Sequence, residues 1–200
     1  KDSKNLAARI TIHQRFSTNG LNWQQWVLDQ LPLTTGMRIL EVGCGPGMFW
    51  RDNAGRFPKD IQRVIGDLSF GMVQEAKAGI GGNTFINVNA ESIPLASNTF
   101  DIVIANHMLY HLPHLAQGLN EIARVLKSHG LLCAATNGTG HLKEMFDLAH
   151  EFDPRFEEVR RNFNLTSGFN LGNATELLRK GFAKVEIKPF ENALWVTESQ

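Results

Sequence analysis

The sequence is short of cysteine, of any excess charge and of long apolar runs, and each shortage removes a class of protein. Cys44 and Cys133 are its two cysteines, far apart and in apolar surroundings. They form neither a paired metal-binding spacing nor a disulfide framework, so a reducing, cytoplasmic compartment and no metal site are expected. Lys plus Arg equals Asp plus Glu at 20 each, a formal net charge of +0. Proteins that grip a polyanion ordinarily carry a basic excess, so nucleic acid is not the expected partner. No apolar stretch approaches the ~20 residues that a bilayer span needs, and no signal peptide is visible. What remains is a chain of 200 residues, enough for one domain with a substantial core.

The first part of the chain is polar, with periodic Leu6, Ile10, Phe16, Trp23, Trp26, Val27 and Leu31. That pattern predicts one or two amphipathic helices, broken at Ser17-Thr18-Asn19-Gly20 where turn formers cluster. Past Pro32 and Gly36 the character changes. Met37 to Val42, Arg63 to Leu68, Thr84 to Asn89, Phe100 to Ala105 and Leu131 to Thr136 read as strands. Between them, Phe70 to Ala78 reads as a helix stopped by Gly79 and Gly81-Gly82, and His114 to Lys127 as one closed by Gly130. Alternation of this kind implies βαβ units and a parallel sheet. A helical piece at Leu142 to Phe152, a last helix at Ala174 to Lys180 and two final strands, Phe182 to Pro189 and Ala193 to Thr197, complete the reading. The expectation is a single α/β domain with a doubly wound, mostly parallel sheet of seven strands that ends in a β-hairpin. It divides into a helical cap over 1–35, a core over 36–137, an insertion over 138–172 and a closing helix and hairpin over 173–200.

The informative segment is Ile39-Leu40-Glu41-Val42-Gly43-Cys44-Gly45-Pro46-Gly47. A strand runs into Gly-x-Gly-x-Gly and then a helix, so the backbone turns sharply and can lie close to a ligand across the strand end. A dinucleotide fingerprint places its third glycine one residue later, where Met48 stands. The departure counts against an NAD(P)-dependent oxidoreductase, and a purely structural turn also remains open. Asp67 ends the second strand about 20 residues on, the spacing at which a carboxylate meets ribose hydroxyls. Leu68 and Met72 then stand where they can flank a flat base. The alternative is that Asp67 caps the following helix, a task Ser69 can perform equally well.

Taken together, these residues resemble motif I of the class I S-adenosylmethionine (SAM)-dependent methyltransferases, a Rossmann-like family. The resemblance continues through Gly66-Asp67-Leu68-Ser69, Asn89-Ala90-Glu91-Ser92-Ile93-Pro94-Leu95 and Asn98-Thr99-Phe100-Asp101-Ile102-Val103-Ile104-Ala105-Asn106. Met108-Leu109-Tyr110-His111-Leu112 and Glu121-Ile122-Ala123-Arg124-Val125-Leu126-Lys127 with Gly130 extend it, so it covers about residues 36–137. It is most similar to the small-molecule branch that includes the ubiquinone and menaquinone biosynthesis enzymes. The resemblance implies SAM as cofactor, its methionine part held by Gly43, Cys44, Gly45 and Gly47 with Glu41 orienting it. It implies Asp67 for the ribose, the Ala90 amide for the adenine edge with Glu91 supporting that loop, and the Asn106 carbonyl for the amino group. Asn89 stands where many relatives carry Asp, and its amide oxygen can still accept a hydrogen bond from adenine.

Methyl transfer needs a base only when the acceptor must lose a proton early. The candidates are His107, Tyr110, His111 and His114. His107 and His111, at i and i+4, have the spacing of metal ligands but no HExxH pattern around them. Tyr110 and His111 can equally be structural, or His111 a general base, since imidazole titrates near neutrality. The insertion's Phe146, Phe152, Phe156, Phe163 and Phe169 point to an apolar or aromatic small-molecule acceptor. Trp23 and Trp26 at helical spacing read as core, with a lid over the cofactor as the alternative. No Asn/Asp-Pro-Pro-aromatic motif follows the fourth strand, which counts against a flipped nucleobase. A SAM-binding sensor or partner subunit without catalysis fits the same cofactor motifs.

Overall fold

The structure, a computed structural model, describes residues 4–155 and 168–196. In chain order the elements are α1 (Lys4–Phe16), α2 (Trp23–Asp29), β1 (Arg38–Val42), α3 (Met48–Asp52), β2 (Gln62–Asp67), α4 (Phe70–Ile80) and β3 (Thr84–Asn87). Then come β4 (Phe100–Asn106), a 3-10 turn at Leu109–His111, α5 (Leu115–Val125), β5 (Leu126–Ala135), α6 (Lys143–Phe152) and α7 (Ala174–Leu178). The strands form one sheet in the order β3-β2-β1-β4-β5, and all four pairings are parallel. The chain therefore winds outward from β1 in one direction and from β4 in the other. The switch point between those two strands opens a crevice at their carboxyl ends, where open α/β sheets bind ligands.

Both faces of the sheet are apolar because both are covered. Ile39, Ile65, Ile102 and Ile104 pack with Val27, Leu28, Phe49, Trp50 and Ala76 on one side. Leu40, Val42, Val103 and Ala105 pack with Leu119, Ile122, Val125 and Phe169 on the other. Strand alternation sends neighbours in β1 to opposite layers, so Glu41 falls on the layer of Ile39 and is as deeply buried as the apolar residues around it.

The described residues form five strands rather than seven. Phe182–Pro189 makes no strand, and the expected partner segment from Ala193 turns away from it; Thr197 lies outside the described residues. Its backbone groups are taken instead by the start of the chain. Ser17 and Leu194 bridge antiparallel, Thr18 N donates to Ala193 O at 2.9 Å and Trp195 N to Phe16 O at 2.8 Å. A hairpin through Glu191-Asn192 would need those same groups.

Two glycines were also misread as stops. Gly130 does not end α5: Leu126 already pairs with Phe100, and Gly130 lies inside β5 past an irregularity in the register. Gly79 lies within α4, which continues to Ile80 and ends at Gly81; a Cβ on Gly79 would stand 3.2 Å from Arg51 Cδ. Its smallness serves helix contact rather than termination.

Candidate functional site

The glycine turn lies at the switch point. Gly43, Gly45 and Gly47 all adopt left-handed φ values, of 72°, 54° and 81°. Cys44 N donates to Gly66 O at 3.0 Å, tying the turn to β2. At Gly43 an added Cβ would stand 2.7 Å from Met108 Cβ. Gly43→Ala combines that overlap with left-handed strain and is expected to cost about 2 kcal/mol of stability, readable as a lower urea midpoint at unchanged slope. A midpoint equal to that of the wild type would show that the turn relaxes freely.

Beneath the turn, Trp50 Nε1 donates to Glu41 Oε2 at 2.5 Å. Trp50 is itself fixed, stacked on Phe57 at 4.9 Å with the Arg63 guanidinium 5.7 Å from its ring centroid. Burial pushes the Glu41 carboxyl up to about 8, opposed by the Trp50 hydrogen bond and reinforced by the charge of Asp67. Asp67, at the end of β2, accepts from Gly45 N at 2.9 Å and from Ser69 N at 2.8 Å. It thus braces both the glycine turn and the entry to α4, while Ser69 makes no side-chain cap.

A continuous cleft of 2310 Å³ opens beside the turn and is lined by Glu41, Gly43, Cys44, Gly45, Met72, Asn106 and His111, among others, whereas Gly47, Asp67 and the Asn89–Glu91 turn do not line it. Both side-chain polar atoms of Asn106 are buried and have no hydrogen-bond partner among the described residues. Buried amides are almost always paired, and this one lines the cleft. Burial pushes the thiols of Cys44 and Cys133 up, Cys133 to about 11, so neither is a thiolate nucleophile at neutral pH.

Other residues singled out in the sequence lie elsewhere. Leu68 is 70% exposed and does not line the cleft, because β2 has ended and the side chain has left the sheet's alternation. Asn89 lies in a turn beyond β3, its Oδ1 accepting from Glu91 N at 2.9 Å. Ala90 is packed in the core, and Glu91 Oε1 accepts from His114 N at 2.6 Å, pinning the start of α5. Phe169 is core rather than cover, Phe152 is exposed, and Phe156 and Phe163 lie outside the described residues.

The aromatic border of the cleft comes from elsewhere. Trp23 and Trp26 are half-buried, stack at 5.4 Å, and each meets Phe190 edge-on at 5.1 Å. Trp23 also lies 5.3 Å from the His107 ring. His107 has a left-handed φ of 52° and a lowered pKa of about 4, from burial first and then the neighbouring His141 and His13. It is therefore neutral at pH 7. His111 is exposed at the cleft and lies 4.5 Å from Tyr110, ring to ring.

Residues 40–134 match a family described as a methyltransferase domain. This segment of the chain is similar to that family. A malonyl-[acyl-carrier protein] O-methyltransferase of Enterobacter lignolyticus is 30% identical over 84% of this chain and 64% of its own length. A ubiquinone/menaquinone biosynthesis C-methyltransferase of Campylobacter jejuni is 31% identical over 51% of this chain and 45% of its own. The chain spans 39% to 64% of the length of the first curated relatives it matches. Among solved structures, a Bacillus halodurans protein described as a methyltransferase superposes with a TM-score of 0.62 at 21% identity, over 80% of this chain and 68% of that one. That likeness shows the shared α/β fold. The residues present fit SAM: Glu41 and Asn106, whose amide is unpartnered among the described residues, line the strand-end crevice, and Asp67 braces the glycine turn beside it.

Proposed function

We propose that the chain transfers a methyl group from SAM to a small-molecule acceptor. The observation that carries the reading is the charge around the glycine turn. The ionisable side chains bonded there are two acids, Glu41 and Asp67, with no base bonded to either among the described residues. A pyrophosphate would be repelled by Asp67 and would meet in Glu41 an acid rather than a base, whereas a nucleoside carrying a sulfonium and an ammonium is attracted. Bound SAM would supply an electrophilic methyl group. The glycine turn and Glu41 would hold its methionine part, Asp67 the ribose, Met72 one face of the base and Asn106 the amino group. The Asn89–Glu91 turn would close the adenine end.

On the acceptor side, catalysis rests mainly on holding two reactants in line. Trp23, Trp26, Tyr110 and Phe190 favour an apolar or aromatic acceptor body. His111, open to the cleft, would take a proton from an acceptor that must lose one. His107 would offer a neutral, buried imidazole as a hydrogen-bonding partner. Among the described residues no helix is long and apolar enough to cross a membrane.

Calorimetric titration with SAM, S-adenosylhomocysteine and NAD tests the cofactor assignment. Binding of the two sulfur nucleosides at micromolar concentration, with no heat from NAD, is the expected result. Release of S-adenosylhomocysteine across a panel of quinols, phenols and acyl thioester acids then tests turnover. Tight SAM binding without turnover on any class would favour a sensor or partner subunit, and NAD binding would overturn the proposal.

A further inference from the structure

We infer that Glu41 is a proton-coupled seat for the positive charge of the nucleoside: a neutral acid in the free protein, it gives its proton to solvent when a cationic ligand settles beside it. The inference rests on the SAM reading and adds what one of its residues does during binding.

Glu41 is 2% exposed, yet it lines the cleft. Its charged surroundings are wrong for an anion. From β2, Asp67 adds like charge, while the Arg63 guanidinium lies against the Trp50 and Phe57 rings and makes no ion pair with Glu41 among the described residues. From α3, Trp50 gives one neutral hydrogen bond, Arg51 lies against α4, and Asp52 accepts from Asn22. The turn and β5 bring the thiols Cys44 and Cys133, both raised in part by Glu41 itself. At the end of β4 the uncharged Asn106 and His107 line the same cleft as Glu41. A buried carboxyl so placed keeps its proton, because an isolated buried charge costs far more than neutralisation. The acid's pKa of about 8 agrees with this geometry.

A cation within about 4–6 Å reverses the balance, lowering a carboxyl pKa by roughly 1–3 units. The proton then leaves to buffer near neutral pH, and linkage makes the converse hold: SAM binds more tightly as pH rises. The gain is present up to about 8, where Glu41 is already ionised in the free protein. Below that the nucleoside must displace a proton, so affinity falls as pH falls.

The test is titration of SAM into wild type and Glu41→Gln near neutral pH, in two buffers of different ionisation enthalpy. The buffer dependence of the heat counts protons, and the variant subtracts those of the ligand's own groups. At pH 7 wild type is expected to release about 0.4 to 0.9 of a proton more per SAM bound than Glu41→Gln, for a drop of roughly 1–3 units from about 8. Infrared difference spectra of wild type are expected to lose a protonated-carboxyl C=O band on SAM binding, a readout that survives if the variant does not fold. SAM binding with equal proton counts in both proteins, or with the carboxyl band retained, would overturn the inference and leave the cofactor assignment standing. SAM binding by neither protein, with wild type folded, would remove the cofactor assignment and this inference together.

Discussion

Asp67→Ala is expected to weaken SAM binding by about 100-fold or more while leaving a folded protein. Hydrogen bonds to a charged group contribute roughly 1.5–3 kcal/mol each, and every 1.4 kcal/mol is about tenfold in affinity. A carboxylate that accepts two ribose hydroxyls therefore accounts for about two to four decades. The structural cost is smaller. Asp67 gives up its bonds from Gly45 N and Ser69 N, both in turns that keep their other anchors. The Asp67 backbone carbonyl stays held by Val88 N at 2.9 Å and by Asn87 Nδ2 at 2.8 Å. A stability loss of about 1 kcal/mol is the expectation. Asp67→Asn separates the two roles, because it keeps an acceptor for Ser69 N, gives up only the bond from Gly45 N and loses the charge. It should melt close to wild type and still bind SAM poorly. The measurement is SAM titration beside thermal unfolding, and undiminished affinity in Asp67→Ala would make Asp67 a brace for the turn and nothing more.

The parts of this molecule that were legible in the sequence are those set by neighbours along the chain. Ile39-Leu40 and Ile102-Val103-Ile104 read as doubly buried strands because both faces of the sheet are covered, and the parallel sheet followed from helices placed between strands. The glycine turn and Asp67 were legible because a tight backbone turn and a strand-end carboxylate have fixed spacings. What the sequence hid was decided by contacts between distant segments. Nothing local says that the backbone near Ala193 pairs with Phe16–Thr18 instead of folding back on Phe182–Pro189. Nothing local assigns Trp50 to Glu41 either, although one signal was available: a carboxylate inside a buried strand must find a donor, and the next helix offered an indole. The insertion's phenylalanines misled because aromatic content does not say which way a ring faces. Phe169 went to the core, and the aromatic border of the cleft came from Trp23, Trp26 and Phe190, at opposite ends of the chain.

Asn106 carries the second large expectation, and its two readouts should move in opposite directions. Its carboxamide ends β4 at the cleft with both polar atoms buried and unpartnered. A buried polar group without a partner costs about 1–3 kcal/mol, a penalty that the free protein bears and a ligand relieves. Asn106→Ala removes the penalty and leaves a small space open to the cleft, so stability is expected to hold or rise by about 1 kcal/mol, a few degrees in melting temperature. SAM affinity is expected to fall about 10- to 100-fold, because the ligand loses its partner and no longer relieves anything in the protein. Sites that bind ligands often keep such unfavourable groups at the expense of stability. Asn106→Asp should behave differently, since it would bury a third acid near Glu41 and Asp67 and lower stability in the free state. Thermal unfolding with and without SAM, beside direct titration, separates these cases. An alanine variant that melts well below wild type and binds SAM undiminished would mean that the Asn106 amide is satisfied within the fold and has no part in holding the nucleoside.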